Sequence, residues 1–293
     1  MMLFQGRRIR IAMAAGAVLM GCSDGAPDRP APPVDEGRVV TEALGGCQST
    51  LHHAGMFTAT AASSYDGSPC NSPKTRYYGW QGVNGIIYTP ASFARMDPAQ
   101  DHQNGWLGMV LNNSHAGMQI GWYRGTIGCG STFMQSNDYH MYVELIPDTT
   151  DPSGCGVPGY RIIDLGALKP GEGIIYRINY HAASKAWLIY HHYNTLAFTV
   201  PATGYFAPTS GAAEVENEVV DNSGTANMAP STFGSPLTPS NAELRLLAGS
   251  GAWVPWSDHI IQFTATHQES TGSHSASELV VSKKYSYLQT HGL

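Results

Sequence analysis

The amino-acid sequence predicts an all-β protein built as one antiparallel β-sandwich. Gly and Pro are abundant, at 33 and 18 of 293 residues, and only 13 % of residues are charged, a balance that suits a turn-rich β protein better than a helical one. The apolar and aromatic residues fall in short runs bounded by Gly, Asn, Ser or Pro, the mark of strands joined by turns. The segment Ile174 to Tyr180 alternates, with Ile174, Tyr176, Ile178 and Tyr180 on one face and Ile175, Arg177 and Asn179 on the other. No stretch has convincing helical periodicity, and no internal repeat stands out.

Taken in order, the chain opens on a targeting signal over residues 1–21. Arg7, Arg8 and Arg10 make its positive region and Ile11 to Met20 its short apolar core. Leu19-Met20-Gly21-Cys22 resembles a bacterial lipoprotein box, which implies acylation of Cys22 and a membrane partner reached through an N-terminal lipid. Plain secretion with an incidental Cys22 is the alternative, and either expectation places the protein outside the cytoplasm. Residues 22–46 carry Pro27, Pro30, Pro32 and Pro33, bury too little apolar surface to fold, and read as a tether. Residues 47–293 read as a single sandwich domain. Removing the three leader arginines takes the net charge from −6 to −9, which argues against nucleic acid as a partner. No later stretch is long and apolar enough to cross a bilayer as a helix.

The first strand candidates are Tyr77 to Val83 and Gly85 to Pro90, followed by a polar connection from Arg95 to Asn104. Gly105 to Leu111, Met118 to Tyr123 and Tyr139 to Pro147 are the next three, then a loop through Gly159. Tyr160 to Leu165, the alternating strand from Ile174, Lys185 to Tyr193 and Thr195 to Val200 continue the antiparallel pattern. A Glu-rich strand begins at Ala213. Asn222 to Ser240 reads as loop, Ala242 to Leu247 as a short strand and Trp253 to Thr264 as the closing one. Besides Cys22 there are Cys47, Cys70, Cys129 and Cys155, an even number that in an exported chain predicts two disulfides. Cys47 with Cys70 and Cys129 with Cys155 is the favoured pairing, because each bond closes a short loop beside a strand. The absence of any Cys-x-x-Cys spacing argues against zinc.

Common catalytic signatures are missing from residues 47–293: there is no Gly-x-Ser-x-Gly, no His-Glu-x-x-His and no P-loop, and the Gly-x-Gly-x-x-Gly spacing of Gly154 to Gly159 falls in a loop rather than between a strand and a helix, so it is no dinucleotide fingerprint. The pairs His52-His53 and His191-His192 are consecutive, so in strands their side chains point to opposite faces and do not chelate one metal together. Attention falls on polar residues inside apolar strands, Gln119 and Glu144, and on Glu214, Glu216 and Glu218, which share one face at a period of two. A carboxylate of raised pKa accepts a proton from water, and a neutral amide donates hydrogen bonds to a developing oxyanion. Water, carboxylate and amide are the minimum for attack on a peptide carbonyl. The alternative is that the three glutamates are a solvated outer face.

Together these segments resemble the eqolisin family of glutamic peptidases, acid peptidases of fungi and bacteria with a concanavalin-like sandwich. The resemblance rests on Trp106-Leu107-Gly108, Gln119-Ile120-Gly121, Val143-Glu144-Leu145-Ile146-Pro147, Gly171-Glu172-Gly173-Ile174 and Ala213-Glu214-Val215-Glu216-Asn217-Glu218, in the family's order. Met109-Val110-Leu111 replaces the family's acidic turn, and both residues after Glu144 are aliphatic where the family has aromatics. Carried over by motif, the resemblance implies a cofactor-free peptidase of polypeptides in which Glu214 is general base and Gln119 oxyanion donor. Glu144, Glu216, Glu218, Trp106 and Trp122 are then supporting residues. Gln119-Ile120-Gly121-Trp122 is similar also to the neprosin family, whose two glutamates would pair Glu144 with Glu214. From another class comes an inactive sandwich that binds glycan or peptide through Trp80, Trp122, Tyr123, Trp253 and Trp256.

Overall fold

A computed structural model gives the fold. It describes residues 79–111, 114, 116–129, 132–147, 157–220, 223, 226, 232–234 and 244–256, with backbone alone for strands at 38–40, 56–59, 261–264, 278–282 and 287–291 and at residues 129, 220, 232 and 233. In chain order the strands are β1 (Arg38–Val40), β2 (Met56–Ala59), β3 (Trp80–Tyr88), β4 (His102–Leu111), β5 (Gly117–Cys129) and β6 (Thr132–Ile146). Then come β7 (Arg161–Ala167), β8 (Gly173–His181), β9 (Ala186–His191), β10 (Thr195–Pro201), β11 (Gly211–Val220) and β12 (Thr232–Phe233). The last are β13 (Arg245–Ala248), β14 (Trp253–Pro255), β15 (Ile261–Thr264), β16 (Glu278–Ser282) and β17 (Tyr287–His291). Every pairing among them is antiparallel. The fold is the all-β antiparallel sandwich that composition and alternation predict.

One layer runs β7-β6-β5-β4-β11-β2-β15. The other runs β10-β9-β8-β3, and β3 continues to β13-β14 along one stretch and to β12-β17-β16-β1 along another. The layers meet at the backbone pair Gly211–Trp80. Between them lies the core: Leu107, Met109, Ile120, Trp122, Met141, Val143 and Val215 from the first layer pack with Val83, Ile87, Ile174, Tyr176, Ile178, Trp187 and Ile189 from the second. These are alternate residues of each strand, so one face of every central strand is removed from water and the register is pinned, because a one-residue slip would invert every face. Strand β8 behaves as its alternation predicts: Ile174, Tyr176 and Ile178 are buried, while the Arg177 guanidinium lies 4.1 Å from the Tyr190 ring centroid.

Several boundaries differ from the sequence reading. The two candidates from Tyr77 to Pro90 are one strand, β3, and β4 begins at His102, inside the stretch read as a polar connection. Strands β5 and β6 extend far past Tyr123 and back before Tyr139; the β6 arm of their hairpin is mostly exposed and the β5 arm has Ile127 alone as a buried large apolar residue, so neither carries a run of apolar alternation. The register shifts between Tyr123 and Gly125, and Gly125 has φ 95°, a glycine bulge that turns the arms relative to the sheet. The closing stretch is two strands, β14 and β15, and β12 forms inside the segment read as loop. Backbone of Arg38–Val40 pairs with β16, within the segment read as tether. The rest of the tether, residues 1–21 with the signal, and Cys22, Cys47, Cys70 and Cys155 lie outside the described residues, so the lipidation and disulfide expectations do too.

Candidate active site

The face of the first layer turned away from the core holds the polar residues picked out by sequence. On β11, Ala213 and Val215 enter the core, so Glu214, Glu216 and Glu218 project from the opposite face. Register carries that face across the sheet in rows. Glu214 stands opposite Gly108, Gly108 opposite Gln119, and Gln119 opposite Glu144. The next row reads Glu216, Trp106, Gly121, Tyr142 and Asp164, and the one after Glu218, Asn104, Tyr123 and His140. The three glutamates are not a solvated surface: Glu214 is 2 % exposed, Glu216 8 % and Glu218 7 %.

Gln119 is held from one side. Its Nε2 donates to Glu144 Oε2 at 2.6 Å and to the Tyr142 hydroxyl at 3.1 Å. The Tyr160 hydroxyl donates to the other oxygen of Glu144 at 2.5 Å. Burial pushes Glu144 up from 4.5 to about 7; nearby Glu218 pushes the same way, while Tyr160, His102 and Gln119 oppose it. Tyr142 is raised well above 10 by burial and by Glu144, Glu218 and Glu216, so it remains a neutral phenol. Asn104 Nδ2 donates to Glu218 Oε2 at 2.7 Å, and His102 Nε2 lies 3.8 Å from that oxygen. His102 Nδ1 is 3.1 Å from the Thr126 carbonyl, which only accepts, so this nitrogen carries a proton and Nε2 is the atom that faces Glu218.

Between Gln119 and Glu214 lies Gly108. A Cβ there would come within 2.8 Å of Trp106 Cζ3 and 2.9 Å of the Met118 carbonyl oxygen. The indole edge therefore takes the place of a side chain at 108, and the amide and the acid are separated by an apolar floor two strand spacings wide, roughly 10 Å between Cα positions. Trp106 also joins Tyr123, Ile127 and Tyr142 in a small apolar cluster on this face. Among the described residues its Nε1 and the Asn104 Oδ1 have no hydrogen-bond partner, a buried donor and a buried acceptor two residues apart on β4. At the far end of the rows His140 Nδ1 lies 2.8 Å from Asp164 Oδ2, which also accepts from the Tyr123 hydroxyl at 3.3 Å.

Gln119, Glu144, Glu214, Glu216, Glu218 and Trp106 thus share one face. Trp122 does not: it is one strand position out of phase, fully buried in the core, and edge-on to Tyr139 at 5.2 Å. Trp80, Tyr123 and Trp256 are likewise buried, which removes them from any exposed sugar-stacking platform; Trp253 is half-buried. The histidine pair differs from expectation as well. His192 leaves β9 with φ 46°, and its Nδ1 meets His191 Nδ1 at 2.6 Å rather than pointing to the opposite face. His52 and His53 lie outside the described residues, and Cys129 is described by backbone alone. Among the described residues no three His, Cys, Asp or Glu side chains are grouped to hold a metal, and no helix is long and apolar enough to cross a membrane. Sequence reasoning missed Tyr142, Tyr160, Asn104 and His102. The first was legible, two residues before Glu144 and so on its face; Tyr160 reaches Glu144 from beyond a loop, which no spacing reveals.

No family model matches the chain, and no curated protein sequence does. Among solved structures it is similar to Scytalido-glutamic peptidase with a peptide-based transition state analog, at 11 % identity and TM-score 0.46, over 83 % of this chain and 99 % of that one. It is similar also to SCP-B, a member of the Eqolisin family of peptidases, in complex with the tripeptide Ala-Ile-His, at 10 % identity and TM-score 0.44 over the same shares.

Proposed function

We propose that the chain is an exported, lipid-anchored peptidase of the glutamic type, in which Glu214 and Gln119 act from the two sides of Gly108. The observation that carries the reading is their register: an acid and an amide on one face, with no side chain of residue 108 between them. Glu214 takes a proton from water, whose oxygen attacks the peptide carbonyl. Gln119 donates to the oxyanion that forms, and the proton on Glu214 passes to the departing amine, restoring the carboxylate. No cofactor enters these steps. The pairing of an acid with an amide supports a polypeptide as substrate, since a peptide carbonyl needs a base for the attacking water and a donor for its oxyanion. Burial of both groups lowers the local dielectric, which strengthens hydrogen bonds to a developing charge. The leader and Cys22 support export and anchoring.

The test is digestion of a denatured protein by the purified chain between pH 3 and 7. Glu214→Gln and Gln119→Ala, each checked for a wild-type unfolding transition, are expected to lower the cleavage rate by a factor on the order of 100 or more. Cleavage by Glu214→Gln at the wild-type rate would sink the assignment, as would an inert wild-type chain.

A further inference from the structure

We propose that Glu144 sets which end of the Gln119 amide faces Glu214: as a carboxylate it holds the NH2 group toward β6, and as a neutral acid it turns the amide over, so that the NH2 group faces the Gly108 side. This rests on the reading of Gln119 as oxyanion donor and adds the condition under which it acts.

The inference follows from counting donors. A primary amide has two N–H hydrogens, and both of Gln119's are committed, one to Glu144 Oε2 at 2.6 Å and one to the Tyr142 hydroxyl at 3.1 Å. In that orientation it is the amide oxygen, not the nitrogen, that is turned from β6. An oxyanion placed over Gly108 would meet a carbonyl oxygen, which repels it. The Tyr160 hydroxyl occupies Glu144 Oε1, so a proton added to Glu144 falls on Oε2. That places an O–H against an N–H, two donors with nothing to accept. Turning the Gln119 amide by half a rotation resolves it: the amide oxygen accepts from the Glu144 O–H, and the Tyr142 hydroxyl, free to rotate, becomes the second donor. Both bonds to β6 are kept, with their direction reversed. The two N–H groups then point where the carbonyl oxygen had been.

The surroundings favour protonation in the mildly acidic range. Facing Glu144 are Gln119 on β5, Tyr142 on its own strand, Tyr160 before β7, Asp164 one row on along β7, His102 on β4, and Glu214, Glu216 and Glu218 on β11. Its neighbour in the row on β7 is Ile162, which offers no charge. Burial, with Glu218 adding to it, raises the Glu144 carboxyl to about 7 against the opposing pull of Tyr160, His102 and the Gln119 hydrogen bond. The amide therefore turns donor-outward as the pH falls below neutrality, and each pH unit above the Glu144 midpoint lowers the donor-outward population ~10-fold.

The deciding experiment is NMR on the purified full chain labelled with 15N at glutamine side chains and 13C at glutamate carboxyls. Gln119 is assigned by loss of its signals in Gln119→Ala, and Glu144 by loss in Glu144→Gln. Above the Glu144 midpoint the Gln119 NH2 protons should show contacts to the Tyr142 ring. Below it these should be replaced by contacts to the Gly108 α-protons, with the same midpoint. Glu144→Gln, whose carboxamide donates at every pH, should hold the low-pH pattern from pH 5 to 8. Tyr160→Phe, which removes a bond that favours the charged form, should move both midpoints upward together. Contacts to Tyr142 that persist on both sides of the titration would overturn the inference, and would mean that Glu144 carries its proton on Oε1 with Tyr160 turned to accept it. None of these readouts needs turnover. An inert chain whose amide still turns keeps this inference and loses the peptidase reading; cleavage that depends on Glu214 with an immobile amide does the reverse.

Discussion

Glu214 and Gln119 stand opposite the same residue, Gly108, from its two sides, although they are far apart in the chain. Strand β4 is the spacer, and its only contribution at that point is backbone. The width of the gap is thus set by sheet geometry, two inter-strand spacings, and its height by the Trp106 indole lying over the glycine.

Gly108→Ala tests that spacer. The added Cβ would lie 2.8 Å from Trp106 Cζ3, which can shift, and 2.9 Å from the Met118 carbonyl oxygen, which is held in the sheet. The variant is expected to lose about 1–3 kcal/mol of stability in urea unfolding. It should lose cleavage more than stability accounts for, because the displaced indole is the floor between amide and acid. A variant as stable and as active as wild type would show that Gly108 is not a spacer.

The Glu144 carboxyl makes stability fall as pH rises. Its folded value of about 7 lies above the ordinary 4.5, so between those values the unfolded chain gives up the proton first and binds fewer protons than the native one. Stability is therefore fullest below about pH 4.5, declines through the interval and is level above about 7, a loss of about 3 kcal/mol from this group. Urea midpoints of wild type and Glu144→Gln at pH 4.5 and 7.5 isolate it, since the variant lacks the titration. Equal slopes in the two proteins would place Glu144 in an ordinary environment.

Tyr160→Phe removes the hydroxyl that donates to Glu144 Oε1. That bond favours the carboxylate, so its loss should raise the Glu144 midpoint further and extend any acid-dependent activity toward neutral pH. A pH-rate profile unmoved by the substitution would mean that Glu144 does not govern the acid limb.

How much of this was legible follows from where apolar residues alternate. Central strands such as β8 bury every second residue, and the sequence reports that directly. The β6 arm of the hairpin exposes Phe133, Gln135, Asn137 and Asp138 and carries no such pattern, so the sequence alone points to two shorter strands. For the site, period two put Glu214, Glu216 and Glu218 together, and their burial followed from packing that no local pattern contains. The register that sets Gln119 opposite Gly108 and Glu144 is a property of strand pairing. Tyr160 reaches Glu144 only because the chain returns on β7. Trp122 shows the opposite failure: proximity to Gln119 in sequence drew it into the site, whereas an offset of three residues on a strand places it on the other face.

The two tryptophans on β4 and β5 therefore separate stability from binding. Trp122 is wholly buried, and its indole takes the space that Gly105 leaves, where a Cβ would lie 2.5 Å from Nε1. Trp122→Ala is expected to cost about 3–5 kcal/mol in chemical denaturation. Trp106→Phe keeps an aromatic ring beside Gly108 and removes the rest of the indole, including an N–H that has no hydrogen-bond partner among the described residues. Relief of an unsatisfied donor, worth up to about 1–3 kcal/mol, offsets part of the packing lost with the smaller ring, so the variant should be less destabilised than Trp122→Ala. As the indole is the floor between Gln119 and Glu214, KM should rise while the variant keeps a cooperative unfolding transition. A Trp106→Phe variant that unfolds as readily as Trp122→Ala would mean that the Trp106 ring serves stability rather than the site.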